Sequence, residues 1–510
     1  IILSYNYNRT TSMFLSNWLV FKIVLAALGR VDYPVAGDLE LEYDNVNKLT
    51  LSGGSLKYID NITLWSTIGE ETTQYDIDNS LNLDIGNEQI FYANDQDTNT
   101  QLGYGCDIDG DYMIGGAPQD DQGGSQAGAA YIFKRMGTSW AQTAKLVASD
   151  AAANDQAAEF CEISGDYAIF GVYSKNSNTG AAYIFKRDTG AETWTQQEKL
   201  TASDAASSDY FGWGVSIDGD YAIVGAFGED TGASQAGAAY IFKRSGTSWS
   251  QEAKIQHSSV GSGDYFGYDV TISGDYAAVG AIYQDTTATA AGSVYIFKRN
   301  GTSWTQQQQI QSRDIASNDN FGCAVAMDGD YLAVSSPYDN SNHGAVYFFK
   351  KDDGAETWTE QTKIIPSGVG SNDQAGNVGR LSISGDIVVM GSDLHDSGGI
   401  SDSGTAWVFK RSGTTWSEIN KLSASDKGSG YRFGISVGVS GNTVLVGSAY
   451  ADQYHANNGA LYVYNSQKIT NYYINEVGKY SVDANIAGLN YKTNEVEVTS
   501  LNPGNAVYTN

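Results

Sequence analysis

The sequence predicts an all-β fold: a seven-bladed β-propeller with flanking β segments and a short apolar N-terminal helix. Three observations predict it. A Gly-Asp pair recurs at Gly110-Asp111, Gly165-Asp166, Gly219-Asp220, Gly274-Asp275, Gly329-Asp330 and Gly385-Asp386, echoed by Gly441-Asn442. Behind each pair comes a strand-like run of the Gly-Ala-Ala-Tyr-Ile-Phe kind. The 510 residues include 58 Gly, 34 Tyr and only 5 Pro, with no long helical pattern of Leu, Glu and Lys. A repeat of about 40–55 residues marks an array of supersecondary units, and seven four-stranded units close into a ring.

The third unit shows the four strands. Residues 211–217 (FGWGVSI) alternate and form strand one. Asp218-Gly219 reads as a tight two-residue turn. Residues 221–227 (YAIVGAF) are strand two, 228–237 a polar loop, 238–244 (AAYIFKR) strand three, 245–248 a second turn, and 249–256 (WSQEAKIQ) strand four. The strand-three aromatics recur from Tyr131/Phe133 to Tyr462/Tyr464, and the strand-four Trp from Trp140 to Trp416. Stacked blades bury both faces of their middle strands, so these stripes are core, divided into several small cores between sheets. The seventh unit has no strand four after Tyr464. Residues 89–95 (QIFYAND) resemble 199–204 (KLTASD), so residues near 88–95 are expected to supply the missing outer strand and close the ring.

These units resemble FG-GAP repeats, the blades of integrin-α-like propellers. The Phe-Gly part is Phe211-Gly212, Phe266-Gly267, Phe321-Gly322 and Phe433-Gly434. It is reduced to Leu102-Gly103 and Ala375-Gly376 and lost in the second unit. The Gly-Ala-Pro part is Gly116-Ala117-Pro118, with Gly225-Ala226, Gly280-Ala281 and Ser335-Ser336-Pro337 as variants. The variety most resembled is common in surface proteins of bacteria, algae and large algal viruses. The resemblance implies extracellular binding, cell adhesion or scaffolding at a cell or virion surface rather than catalysis. Calcium-binding members carry an Asp-x-Asp-x-Asp-Gly loop between strands one and two. Here that loop has shrunk to a hairpin turn, which cannot supply six to eight oxygens, so those calcium sites are not carried over. No cofactor is expected, and calcium stays open only as a weak ligand of other acidic loops.

The domains expected are an apolar anchoring or docking segment (1–30), an N-terminal β flank (31–87), the propeller (88–469) and a C-terminal β flank (470–510). Residues 13–29 (MFLSNWLVFKIVLAALG) are short for a spanning helix and interrupted by Lys22. They read as a membrane anchor or a helix docked in a partner's groove rather than a cleaved signal. The chain starts on Ile rather than Met, so it is expected to be processed, truncated or incomplete at its start. The runs in 39–57 and 477–499 alternate like strands of an immunoglobulin-like sandwich, and the two flanks are expected to pair or to form separate modules.

With 30 basic against 59 acidic residues, a formal charge of -29, nucleic acid and anionic membranes are unsuitable partners. Three Cys make no disulfide framework and no zinc motif. The basic pairs that end strand three, such as Lys134-Arg135 and Lys243-Arg244, form a ring that either grips anionic glycan or is balanced by nearby carboxylates. The opposite side carries the strand two–three loops, which vary in length and chemistry and therefore form the candidate binding face. Its candidate residues are Asp120, Asp121, Glu229, Asp230, Asp285, Asp339, His343, Asp393, His395, Asp396, Asp452 and His455; Asp402 and His257 map to the same side. No metalloprotease, phosphate-loop or nucleophile-elbow motif is present. The expected function is a non-enzymatic structural or adhesion protein whose partners are proteins of a surface assembly or capsid. The alternative is a receptor- or glycan-binding module acting through the acidic loops.

Overall fold

The computed structural model describes residues 88–465, apart from 96–98, 353, 378 and 453–454. Outside that stretch it describes the backbone of 22–25, 39–43, 47–51, 62–68, 71–77, 81–82, 467–468, 479–480 and 496–497. The chain divides into two compact units, Leu83–Asn465 and the two flanks together.

The first of these units is a seven-bladed propeller. Each blade is a four-stranded antiparallel sheet in simple up-and-down order. In blade three the strands are Val215–Asp218, Tyr221–Ala226, Ala238–Ser245 and Ser248–Ile255. The second strand is buried along its whole length because a neighbouring blade covers each face. Between blades two and three, for example, Ile169, Ile184 and Phe211 pack with Val224, Tyr240 and Trp249. The core is thus a series of slabs between sheets. Blade seven takes its outer strand from the other end of the unit. Glu88–Phe91 pairs antiparallel with the third strand of that blade, Ala460–Asn465, in the register Tyr464↔Glu88 to Leu461↔Phe91. This agrees with the strand exchange expected from residues 89–95.

Three local readings are refined. The tight turn of blade three is centred on Gly219-Asp220, because Asp218 still pairs with Tyr221. Gly219 has φ 57° with open space around its Cβ position, so the turn needs Gly for its backbone and not for room. In blade four strand one runs Phe266–Ser273 and includes the Phe-Gly pair, whereas in blade three the pair stands outside strand one. Phe211 instead forms a parallel bridge to Gly180 of the preceding blade. In blade two that place is held by Ala157-Ala158, with Ala157 bridging Gly128 and Ala158 left-handed at φ 70°.

Rings of hydrogen bonds close the circle. On the outside, a strand-four Gln or Glu accepts the N–H of the third residue past strand four of the preceding blade. The seven bonds run from Asn94 to Gln142, Ser149 to Gln196, Ser203 to Gln251, Ser258 to Gln306, Arg313 to Glu360, Ser367 to Glu418 and Ser425 to Glu88. Glu88, on the borrowed strand, completes the ring. On the inside, the residue before a turn Gly accepts the N–H of the next blade's turn Gly. Asp109 accepts from Gly165, Asp218 from Gly274, Asp328 from Gly385 and Ser440 from Gly110. Strand one is a sheet edge with unpaired N–H groups, and a neighbour's side chain satisfies one of them.

In the flank unit, Lys22–Leu25 pairs as a strand with Ile62–Ile68, which pairs in turn with Glu71–Ile77. The apolar helix expected over 13–29 is therefore not seen at 22–25, and the rest of that segment lies outside the described residues. A β-prone Ile-Val-Leu run there finds a partner strand. Leu81–Asn82 pairs with Gln467–Lys468, which joins the N- and C-terminal flanks. The immunoglobulin-like reading of 477–499 falls almost wholly outside the described residues.

Candidate functional site

The basic pairs are absorbed by the scaffold. Arg299 bonds Asp275 of its own Gly-Asp turn, and its backbone N–H donates to the Asp275 carbonyl at 2.8 Å. Its guanidinium also lies 4.5 Å over the ring of Tyr221 in the preceding blade, and Tyr221 meets Trp304 edge-on at 6.0 Å. The same Arg or Lys, Tyr and Trp clasp recurs at Arg187 with Tyr112 and Trp194, Arg244 with Tyr167 and Trp249, Lys351 with Tyr276 and Trp358, and Arg411 with Tyr331 and Trp416. At the seam blade seven offers Thr443 instead of Tyr, and Arg135 donates to Thr443 Oγ1 at 2.9 Å. These basic groups serve blade contacts, so the ring is a structural device.

The acidic candidates fall into two sets fixed by register. Asp120, Glu229 and Asp339 follow strand two and are buried. Asp120 accepts from Tyr131 Oη at 2.7 Å and pairs with Lys145 at 2.8 Å; Glu229 pairs with Lys254 at 2.8 Å; Asp339 holds Tyr347 Oη and Lys363. In blade two Lys175 takes this place and pairs with Asp155 at 2.6 Å. Asp393 is buried against Arg380 at 3.1 Å. The second set is exposed. Asp121, Asp230, Asp285, Asp396 and Asp452 each accept a backbone N–H within their own loop, from Gln126, Gln235, Ala290, Asp402 and Asn457. They shape the loops while leaving carboxylate edges toward solvent.

The histidines do not converge. His395 is buried edge-on to Trp407, and His257 is buried and stacked on Tyr295 at 4.6 Å, with Asp264 at 3.1 Å. His343 is half-buried and His455 exposed. Among the described residues no group of three or more His, Cys, Asp or Glu side chains is placed to hold a metal ion. The three Cys are buried thiols that form no disulfide among the described residues, and burial pushes the Cys106 thiol up to about 12.

Sequence reading missed the axis. Strand one of every blade lines a central channel of about 360 Å³. Asp107, Glu162 and Asp269 line it half-buried. Asp107 and Glu162 share one register place, held by Ser216, Thr271, Ala326, Ser382 and Gly438 in the other blades, and Asp269 stands two residues earlier, at the place of Arg380 in blade six. Asp107 accepts the N–H of Ile163 at 2.9 Å, Glu162 that of Ile217 at 2.6 Å and Asp269 that of Val325 at 2.8 Å. Burial pushes the carboxyls of Asp107 and Asp269 up to about 7. Glu162 is raised by burial and by the charge of Asp107. Glu159, above them, is raised by burial to about 7. At this end of the channel Phe160 meets Trp213 at 5.4 Å, and Trp213 meets Tyr268 at 5.6 Å. The signal for this cluster was a break in the repeat: Asp107 and Glu162 stand at a strand-one place that is Ser216, Thr271, Ala326, Ser382 or Gly438 in the other blades.

Comparison with curated proteins found no match. Among solved structures, the chain is similar to a protein described as a candidate 6-phosphogluconolactonase from Bacteroides uniformis. The identity is 13% and the TM-score 0.43, over 72% of this chain and 93% of that one. It is also similar to a protein from Lactobacillus plantarum, at 14% identity and TM-score 0.43, over 73% and 96% of the two chains. The FG-GAP repeat model matches seven times, at 85–133, 140–185, 194–242, 249–297, 304–349, 358–409 and 416–464. The first match begins just ahead of the borrowed strand and the last ends within the third strand of blade seven, as the geometry requires. The chain belongs to the FG-GAP repeat family.

Proposed function

We propose that this protein is a non-enzymatic structural and adhesion component of an extracellular surface, on a cell, filament or virion, that presents its propeller to protein partners. The observation that carries the reading is the division of labour in the ring. The repeated polar residues are spent on closing blade to blade, whereas the strand two–three loops differ from blade to blade and project from one face of a rigid support. The FG-GAP propeller is consistent with adhesion and binding modules. Immunogold labelling of intact source particles or cells tests it. Label on the outer surface is expected, and label confined to the interior overturns the reading. Turnover of a polysaccharide by the purified protein would overturn the non-enzymatic part.

A second reading, recognition of a receptor or glycan through the loop face, is favoured by the diversity of those loops. Shortening 393–404 would then abolish attachment to the target surface without lowering stability.

A further inference from the structure

The core aromatics recur around the ring, so an aromatic confined to one sector answers to something other than the fold. The residue before the Phe-Gly position is left-handed in every blade. It is Gln in blades one, two and six (Gln101, Gln156 and Gln374, φ 61, 50 and 50°) and Asn320 in blade five (φ 54°). In blades three and four it is Tyr210 and Tyr265, at φ 57 and 56°. Left-handed backbone favours Asn or Gly, and a Tyr there gains the backbone nothing.

Both rings instead join a strip. Tyr173 meets Trp213 at 4.8 Å, Trp213 meets Phe227 at 5.0 Å, Phe227 meets Tyr265 at 5.2 Å, and Tyr265 meets Tyr283 at 5.0 Å. Tyr210 stacks on Phe227 at 4.8 Å with 9° between the planes. The strip runs from blade two to blade four beside the channel mouth. Tyr173, Tyr210, Trp213 and Tyr265 are half-buried, Phe227 is buried, and Tyr283 is 39% exposed. Gly228 leaves room for it, since a Cβ there would come within 2.8 Å of the Tyr210 ring. Trp213 Nε1 has no hydrogen-bond partner among the described residues.

We propose that this strip is a binding site for a neutral oligosaccharide of β-linked hexopyranose units. The proposal rests on the recognition reading above and gives that face its ligand class. A β-linked glucopyranose or N-acetylglucosamine chain has equatorial hydroxyls, so each ring offers flat C–H faces to stack on aromatic planes. Its hydroxyl edges stay free to bond the tyrosine hydroxyls. Four partly exposed rings, Tyr173, Trp213, Tyr265 and Tyr283, are joined through the buried Phe227 in steps of 4.8 to 5.2 Å with planes inclined at 41 to 80°, a row that suits an extended chain better than a single point charge. Charge argues against an acidic sugar. The chain carries a formal -29, and Glu159, which hydrogen-bonds Tyr173, stands beside the strip.

The test is calorimetric titration of the full chain with cellohexaose and chitohexaose, with hexamannuronate and a lysine hexapeptide as comparators. Tryptophan fluorescence is read against a Trp213→Phe variant, which isolates Trp213 among the ten Trp. Tyr210→Gln with Tyr265→Asn installs residues that other blades already carry on the same backbone, so folding is preserved. At least one neutral hexasaccharide is expected to bind with quenched fluorescence, and the double variant to bind it at least about tenfold more weakly at unchanged melting temperature. Binding unaltered in the variant, no binding of either neutral sugar at millimolar concentration, or tighter binding of the mannuronate or the peptide would each overturn the proposal. The recognition reading is judged separately by attachment to the target surface after shortening 393–404, in blade six, so the two can fail independently.

Discussion

The carboxyl of Asp269 makes a sharp test of the axial channel. Asp269→Asn removes the charge and keeps an oxygen for the Val325 N–H, which is 2.8 Å away. Burial raises this carboxyl from 3.8 to about 7. An acid with a raised folded pKa weakens the fold as pH climbs. The penalty is absent below the unfolded value, grows between that value and about 7, and is constant above. Three units at about 1.36 kcal/mol each set a ceiling of about 4 kcal/mol. Solvent in the channel screens a half-buried group, so about 1–2 kcal/mol is expected. Over a unit as large as Leu83–Asn465, at about 2.1 cal/mol/K per residue, 1 kcal/mol moves the melting point by only about 1 °C. The assay is therefore urea unfolding of both proteins at pH 4 and pH 8. The stability of the variant relative to the parent should be higher at pH 8 than at pH 4, with unchanged m. The comparison between pH values cancels any packing change. An equal difference at both pH values, or a smaller one at pH 8, would refute the assignment of a buried, charge-penalised carboxyl.

Four further outcomes are expected. Ala158→Gly should stabilise by about 1 kcal/mol in urea unfolding, because Ala158 holds φ 70° where Gly103, Gly212 and Gly267 stand in other blades. Glu88→Ala should cost about 2–3 kcal/mol, since Tyr464 Oη at 2.5 Å and Ser425 lose their acceptor, and hydrogen exchange should rise at 461–464. Arg299→Lys should cost about 1 kcal/mol by losing the planar stack on Tyr221 and the Tyr221 Oη bond at 3.0 Å, while Arg313→Lys, at a 71% exposed side chain, should be near neutral. The melting temperature should be the same in calcium and in chelator; a rise in calcium would place a cation in the loops.

The repeat was legible because a blade is a local object. Its turns, its alternating strands and its Tyr and Trp stripes lie within one stretch of about 55 residues, so periodicity exposes them. The borrowed strand was legible as well, because 89–95 keeps the pattern of the outer strands it replaces. The turn centre was misplaced by one residue, since Asp-Gly and Gly-Asp both signal a turn and only the pairing of Asp218 with Tyr221 decides between them. The loop acids illustrate the harder case. In sequence Asp120 and Asp121 are equivalent, yet one is buried on Tyr131 and Lys145 while the other caps its loop in solvent.

Sequence alone determined the seven units, their four strands and the closure through the N-terminal side. Those follow from local patterning and from the need to cover a sheet edge. Only the tertiary structure decided which charges were spent and which surfaces remained. The Arg that stacks on a neighbouring blade's Tyr, the carboxyls that line the channel and the steps of the aromatic strip from Tyr173 to Trp213 and from Phe227 to Tyr265 each join residues of different blades. Such contacts are set by how blades stack about the axis, and no single repeat contains them.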